Sequence, residues 1–518
     1  MTAMSKSQYR IALLVCFCTI ILAILDQNIV SAALVPITSD LDPEHGLDLA
    51  PWVVTAFSLA GTAAVPLYGR LCDLYGPRRV FIGVVAVFVL GSVLCGASQS
   101  MLQLVLFRAI QGLGAGGLIS VTMIVAAYLS MLKPDGGKPK KNKGGGPSGL
   151  AGIVFVVGMT AGPPIGGIFA DHGVWRWVFY VNLPLGALIL VGALMVFRFP
   201  SRPSTGSIDY LGAALAAAFA SCVLLTGDWG GDRYAWTSPV IIALATTGVL
   251  ALALFIWRQA TADSPIMPLS LFRIPSVRDS YVIQALQGMA LTGVIIYLLM
   301  YLQIVRGVSA TDTGTFLVFL AGGILVSGLV GERLDLRLRV AMVTGTATST
   351  VALVLMFAFT GTDTSLWLIR GLLTLLGLGF GLMIGRLITV VQDSVARPQM
   401  GVAISGVRFF QLLGGATGAA LLGTVLRRLF ESKESGVDMT AIPQLTGAAR
   451  ASATTAFAES LASVFAVAAV FMAVAVVFST RLRTPEGPAV DGPVPSKPVP
   501  EQADRPDVAV NVPPRGKD

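Results

Sequence analysis

The fold class this sequence predicts is an all-α integral membrane protein with fourteen spans, and three observations carry that expectation. Fourteen apolar runs, each about long enough to cross a bilayer, follow one another along the 518 residues. Hydrophobic residues make up 54% of the chain and charged residues only 12%, against about 25% charged in soluble domains. So little polar surface requires lipid as the solvent. The runs are filled with helix formers and interior glycines and exceed a strand's reach, which favours helices over a barrel.

Taken in order, the runs lie near 11–37, 51–69, 80–98, 103–129, 149–170, 181–198, 208–226 and 237–257. The others lie near 280–303, 312–331, 338–360, 366–391, 402–426 and 453–479. The opening MTAMSKSQYRIALLV has the basic start of a signal peptide. Its apolar run is too long for one and lacks a small-residue exit, so it is expected to remain as the first span. Residues 481–518 are rich in Pro, Val, Asp and Lys without periodicity and are expected to be a disordered cytoplasmic tail.

Basic residues set the expected orientation. Lys138, Lys140, Lys141 and Lys143 share one loop, and Arg70, Arg78 and Arg79 another. Placing these loops and residues 1–10 in the cytoplasm puts most loop Lys and Arg inside, with Arg427 and Arg428 as exceptions. Both termini then lie in the cytoplasm of a cell-membrane protein. The formal charge of +8 follows from this sidedness and points to no nucleic-acid partner. Cys16, Cys18, Cys72, Cys95 and Cys222 lie in or beside apolar runs without CxxC spacing, and only His45 and His172 are present. Neither a metal site, a disulfide framework nor a cofactor is expected.

A weak internal repeat suggests the domain plan. GLGAGG at Gly112 to Gly117 in the fourth run is matched by GLGFGL at Gly377 to Leu382 in the twelfth, each with an arginine upstream, Arg108 and Arg370. Repeated halves around a midplane site are the usual architecture of secondary transporters. Six-helix halves at 11–200 and 261–480 leave 201–260 as a linking pair of helices.

Asp26 is the most informative single residue, because it lies within the first run. A charge at that depth costs roughly 3 kcal/mol on the insertion scale, which makes an intramembrane acid a functional-site candidate. The structural alternative is an acid held in a fixed pair with an arginine. Arg108 and Gln111 stand one helical turn apart on one face of the fourth run. Gly112, Gly114 and Gly117 imitate a dinucleotide fingerprint, but no strand precedes them. The loop GRLCDLYGPRR, Gly69 to Arg79, combines two turn-permitting glycines with a capping Asp73 and basic residues. In GMTAGPPIGG, Gly158 to Gly167, two prolines kink a helix whose glycines admit a close neighbour. Arg386 can either snorkel to the surface or line a cavity.

These segments resemble the motifs of the major facilitator superfamily, in its fourteen-span drug:proton antiporter branch. Gly69, Leu71, Asp73, Gly76 and Arg78 match G-x-L-x-D-R-x-G-R-[KR], while Leu74 and Pro77 replace basic residues. Arg108 to Gly116 is similar to R-x-x-Q-G-x-G-x-G, and Gly158, Gly162, Pro163, Gly166 and Gly167 complete G-x-x-x-G-P-x-x-G-G. Asp26 heads a segment similar to L-D-x-T-[IV]-V-N-x-A-L-P, with Asn28 in place of the threonine and Ser31 in place of the asparagine.

The resemblance extends over nearly all of residues 10–480. It implies the major facilitator fold, with two six-helix halves plus two linking transmembrane helices. It also implies proton coupling through Asp26 and Arg108, a cytoplasmic gate loop at Gly69, Asp73, Gly76 and Arg78, and an antiporter motif in the fifth span. Asn28, Gln111 and Arg386 are further cavity candidates. The implied activity is proton-coupled efflux of drugs or other lipophilic or cationic small molecules, with protons and the bilayer as the other partners. A dedicated exporter of one natural product shares this mechanism and stays open. A non-transporting receptor or scaffold is the reading from another class, and the complete motif in the fifth span argues against it. No nucleophile–base–oxyanion constellation suggests an enzyme. Cargo identity, stoichiometry and oligomeric state are left open.

Overall fold

The computed structural model describes residues 4–43, 46–132, 158, 162, 165–169, 172–197, 207–231, 233–334, 336–437 and 439–482. The basic loop 133–149, Pro163 and nearly all of the expected tail lie outside the described residues. The helices, in chain order, begin with α1 (Lys6–Ala32), α2 (Leu34–Leu41), α3 (Gly46–Tyr75), α4 (Pro77–Gly96) and α5 (Met101–Met131). Next come α6 (Trp177–Tyr180), α7 (Asn182–Val196), α8 (Tyr210–Trp229), α9 (Pro239–Thr261), α10 (Ser270–Arg273) and α11 (Pro275–Ile304). The last six are α12 (Ala310–Arg333), α13 (Leu338–Phe359), α14 (Leu366–Met383), α15 (Arg386–Ser394), α16 (Met400–Lys433) and α17 (Gly447–Arg481). Among the described residues, 13 helices are long and apolar enough to cross a membrane. The fifth predicted span lies mostly outside those residues, with helical backbone at Gly158, Gly162 and 165–169.

Local chemistry explains where the helices start and break. Ser5 and Gln8 form a capping box at the start of α1, and Ser100 accepts from the Gln103 amide at the start of α5. Gly76 takes a φ of +84°, and Pro77 follows as the first residue of α4. A side chain would strain that turn, while proline suits the helix start. Two predicted spans are interrupted. The first stops at Ala32 and resumes as α2. The twelfth breaks between Met383 and Arg386, where Gly385 has a φ of +80°.

We call the end where α1 begins and α17 finishes the base, and the opposite end the rim. The first half packs α1, α3, α4, α5 and α7 around Phe81, Phe88, Val121 and Ile189. The second half packs α11 to α14, α16 and α17 around Leu298, Phe316, Phe380 and Phe457. Glycines let helices cross closely in the same way in both halves. A Cβ on Gly112 or Gly116 would collide with α3 backbone, and one on Gly114 with Phe88 of α4. In the second half Gly377 and Gly381 press on α12 and Gly379 on α13. Helix α14 therefore stands to α12 and α13 as α5 stands to α3 and α4.

Helices α8 and α9 pair with each other, and α8 lies against both α3 and α16. Asp209 caps α8 by accepting from the Gly212 amide at 3.0 Å, and also accepts from Arg258 at 2.9 Å and Gln259 at 3.2 Å. At the rim, Thr55 donates to Asp228 at 2.8 Å, and Trp52 meets Trp229 edge-on.

Candidate functional site

Four helices bring a polar cluster together inside the first half. Asp26 on α1 is fully buried, and Arg108 on α5 is 1% exposed. Arg108 Nη1 lies 3.1 Å from Asp26 Oδ2. The other carboxylate oxygen accepts from Gln111 Nε2 at 2.8 Å and from Asn182 Nδ2 at 2.6 Å. Ser92 on α4 accepts from the same two amides, at 2.7 Å from Gln111 and 3.2 Å from Asn182. Gln111 Oε1 accepts from Arg108 at 2.7 Å, so the turn predicted to align these two residues does so.

The rest of the guanidinium is also accommodated. Its Nε donates to the Val53 carbonyl at 3.2 Å, and its centre lies 3.9 Å from the centre of the Phe57 ring, both on α3. A buried ion pair is tolerated when extra hydrogen bonds satisfy what the charges leave over. Here two amides, a carbonyl and a ring face supply them. Gly91 makes the approach of α4 possible, because a Cβ there would lie 2.5 Å from the Gln111 Cα.

Residues of the fifth predicted span lie against α1 near the acid. A Cβ on Gly158 would lie 2.8 Å from Ile24 Cβ, and one on Gly162 2.7 Å from Asn28 Cβ. Asn28 itself donates to the Ile24 carbonyl of its own helix at 2.7 Å. It does not join the Asp26 cluster. Gly166 is buried, and Gly167 has open space where a side chain would stand.

The predicted gate loop meets the second half at the base. Asp73 Oδ1 accepts from the Gly401 amide at 2.7 Å, and Oδ2 from the Val402 amide at 3.0 Å. A carboxylate thus seats on the first turn of α16, where free N–H groups and the helix dipole favour negative charge. Gly69 lies under the crossing, since a Cβ there would lie 2.1 Å from Ser405 Oγ and 2.7 Å from the Gly401 carbonyl. Gln392 of α15 adds contacts to the Ala127 carbonyl and Ser130 Oγ, both at 3.3 Å. These four side-chain hydrogen bonds join the two halves directly. Arg78 turns instead to the Leu194 carbonyl at 2.8 Å.

Arg386 opens α15 and is 3% exposed, bonding the Leu382 and Gly331 carbonyls, so it is inside the protein and does not snorkel. Glu459, near the outer end of the last apolar run, is 58% exposed and pairs with Lys433. Sequence reasoning missed Asn182, Ser92 and Phe57. Asn182 was visible only as a lone amide at the edge of the sixth run, and Ser92 as one serine among many.

Fold and site define a class: a polytopic helical membrane protein holding a compensated charge inside the bilayer. A model of the family described as Major Facilitator Superfamily matches residues 16–419. The chain belongs to that superfamily, and it is a transporter, not an enzyme. It is 34% identical over 483 residues to an uncharacterized MFS-type transporter of Mycobacterium tuberculosis, covering 90% of this chain and 68% of that one. It is 29% identical over 406 residues to the multidrug transporter protein MdtP of Bacillus subtilis, covering 78% and 72%. The human organic anion transporter MFSD10 has the same fold, with a TM-score of 0.59 at 17% identity over 90% of this chain and 99% of that one.

Proposed function

We propose that this transporter is a proton-coupled efflux antiporter that exports drugs or other hydrophobic or cationic toxic compounds across the cell membrane by alternating access. The base is then the cytoplasmic end, as the basic loops suggest. The observation that carries the proposal is the buried ion pair of Asp26 and Arg108 at 3.1 Å, in a chain whose membrane-spanning core has few other acids. The Bacillus relative named as a multidrug transporter supports export.

In this conformation Asp73 ties α3 to the first turn of α16 at the base, and Asp26 is fully buried. A fully buried carboxylate exchanges no proton, so the cycle requires a second arrangement in which α1 and α5 part. Protonation from the rim side would cancel the pair, and release toward the base would restore it. Each charge moved down the membrane potential is worth about 2.3 kcal/mol per 100 mV, which is enough to drive cargo against a gradient.

Everted vesicles carrying Asp26→Asn provide the test. Proton-driven export should be lost, while the amount of protein inserted stays at the wild-type level. Unchanged export removes Asp26 from the mechanism. Reaction with a lipophilic carbodiimide tests the clamp itself: an Asp26 that stays unreactive at every pH, with and without cargo, is a structural residue.

A further inference from the structure

The second half carries an arginine on the helix that corresponds to α5, one turn nearer the rim than Arg108 and without an acid to meet it. Arg370 lies on α14, the helix that packs on α12 and α13 as α5 packs on α3 and α4. Arg108 has its face on Phe57 of α3 and its edge on Asp26. The Arg370 guanidinium stands 4.8 Å from the centre of the Phe316 ring and 5.4 Å from that of Phe319, both on α12, and 4.6 Å from the centre of the Trp367 ring. Phe319 and Trp367 brace each other edge-on at 6.5 Å.

Three rings solvate the faces of the cation. Rings do nothing for the N–H groups, which point outward in the guanidinium plane. Arg370 Nε is buried without an acceptor, and no described carboxylate lies within 4.0 Å of the group. The Arg370 side chain is half-buried, and its one buried donor without an acceptor is costly until a ligand supplies one. The natural complement is a planar oxyanion that takes two N–H groups at once. Trp367 is 71% exposed, so the cage is reachable from outside the packed core.

We propose that Arg370, with Phe316, Phe319 and Trp367, binds the carboxylate end of an aromatic or lipophilic acid, and that such acids are cargo. The word cargo rests on the export function proposed above; the binding does not. The cage supplies apolar contact for the body of the molecule, and Arg370 supplies the two donors for its head.

The test uses the full-length protein in phosphatidylcholine nanodiscs and three matched probes: pyrenebutyrate, pyrenebutanol and pyrenebutylamine. Energy transfer from tryptophan to pyrene reports binding without transport. The acid should bind about tenfold or more tighter than the alcohol, with the amine weakest. Arg370→Gln should bring the acid down to the alcohol's affinity and leave the alcohol unchanged. If that variant does not fold, the wild-type series alone decides, because equal binding of acid and alcohol overturns the proposal. Phosphatidylglycerol that displaces the acid probe would assign the site to a lipid phosphate and overturn it as a cargo site. Asp26→Asn should keep the preference for the acid, so failure of this site and failure of proton-coupled export are distinguishable.

Discussion

Replacing Asp73 by asparagine should open the base of the molecule. The carboxylate accepts the Gly401 and Val402 amides at 2.7 and 3.0 Å, both on the first turn of α16. The amide side chain keeps one acceptor, so one charge-assisted bond is lost, a loss of about 1.5–3 kcal/mol. The interaction of the negative charge with the helix start goes as well, at about 0.3–1 kcal/mol and more when partly buried. A total of about 2–4 kcal/mol moves the ratio of shut to open base by roughly 30- to 900-fold.

Spin labels at Tyr75 and Arg397, both exposed at the base, would report the separation of the halves in a background freed of the five cysteines. Wild-type protein should give one short distance, and Asp73→Asn a second, longer population. Gly69→Ala should act in the same direction by sterics, because its Cβ would lie 2.7 Å from the Gly401 carbonyl, which cannot move aside as a flexible side chain could. If both variants keep the wild-type distribution, the contact of α3 with α16 does not hold the base shut.

Arg108→Ala should destabilise the fold by about 3–5 kcal/mol, because it leaves a buried carboxylate without its counter-ion. Adding Asp26→Asn to that variant should recover much of the loss, and thermal unfolding in detergent would show the non-additivity. At the rim, Asp40 accepts from the Trp175 indole at 2.9 Å and from Arg176 at 3.0 Å. The indole bond above all holds its carboxyl below the ordinary value of 3.8; burial opposes it, and the Arg176 bond and charge add to the lowering. A depressed value means that the tie is complete above pH 3.8 and loosens as the pH falls below it. Trp175 fluorescence, in a variant without the other tryptophans, should titrate only below that pH and be flat with Asp40→Asn.

The hydropathy pattern made most of the architecture legible, because a membrane span is a property of composition over twenty residues and needs no partner to be recognised. Its failures have local causes. The single glycine at 385 breaks the twelfth run without lowering its hydropathy, and the first run is broken at Ala33 among equally apolar neighbours. Helices α16 and α17 run several residues past their apolar segments at the rim, and Lys433 at the polar end of α16 pairs with Glu459 of α17. In the site, Asp26, Arg108 and Gln111 stood out because charge inside apolar sequence is rare. Asn182 did not: an amide is unremarkable until α7 brings it, 156 positions along the chain, onto Asp26.

The asymmetry between the halves bears on how exchange could be enforced. With Asp26 ionised, its pair with Arg108 carries no net charge. With Asp26 protonated, Arg108 is left positive, and a positive interior attracts an acid instead of expelling it. Charge alone would therefore make proton and acidic cargo bind together, the behaviour of a co-transporter. An exchanger of acids must separate them by shape: the parting of α1 from α5 that admits a proton has to distort the cage on α12 and α14, or close the path to it. The base contacts offer a lever, because α3 carries Val53 and Phe57 against Arg108 as well as Asp73 against α16. Breaking the Asp73 seat therefore acts on the same helix that touches the arginine, with Pro66 between the two ends as the point where that helix can bend.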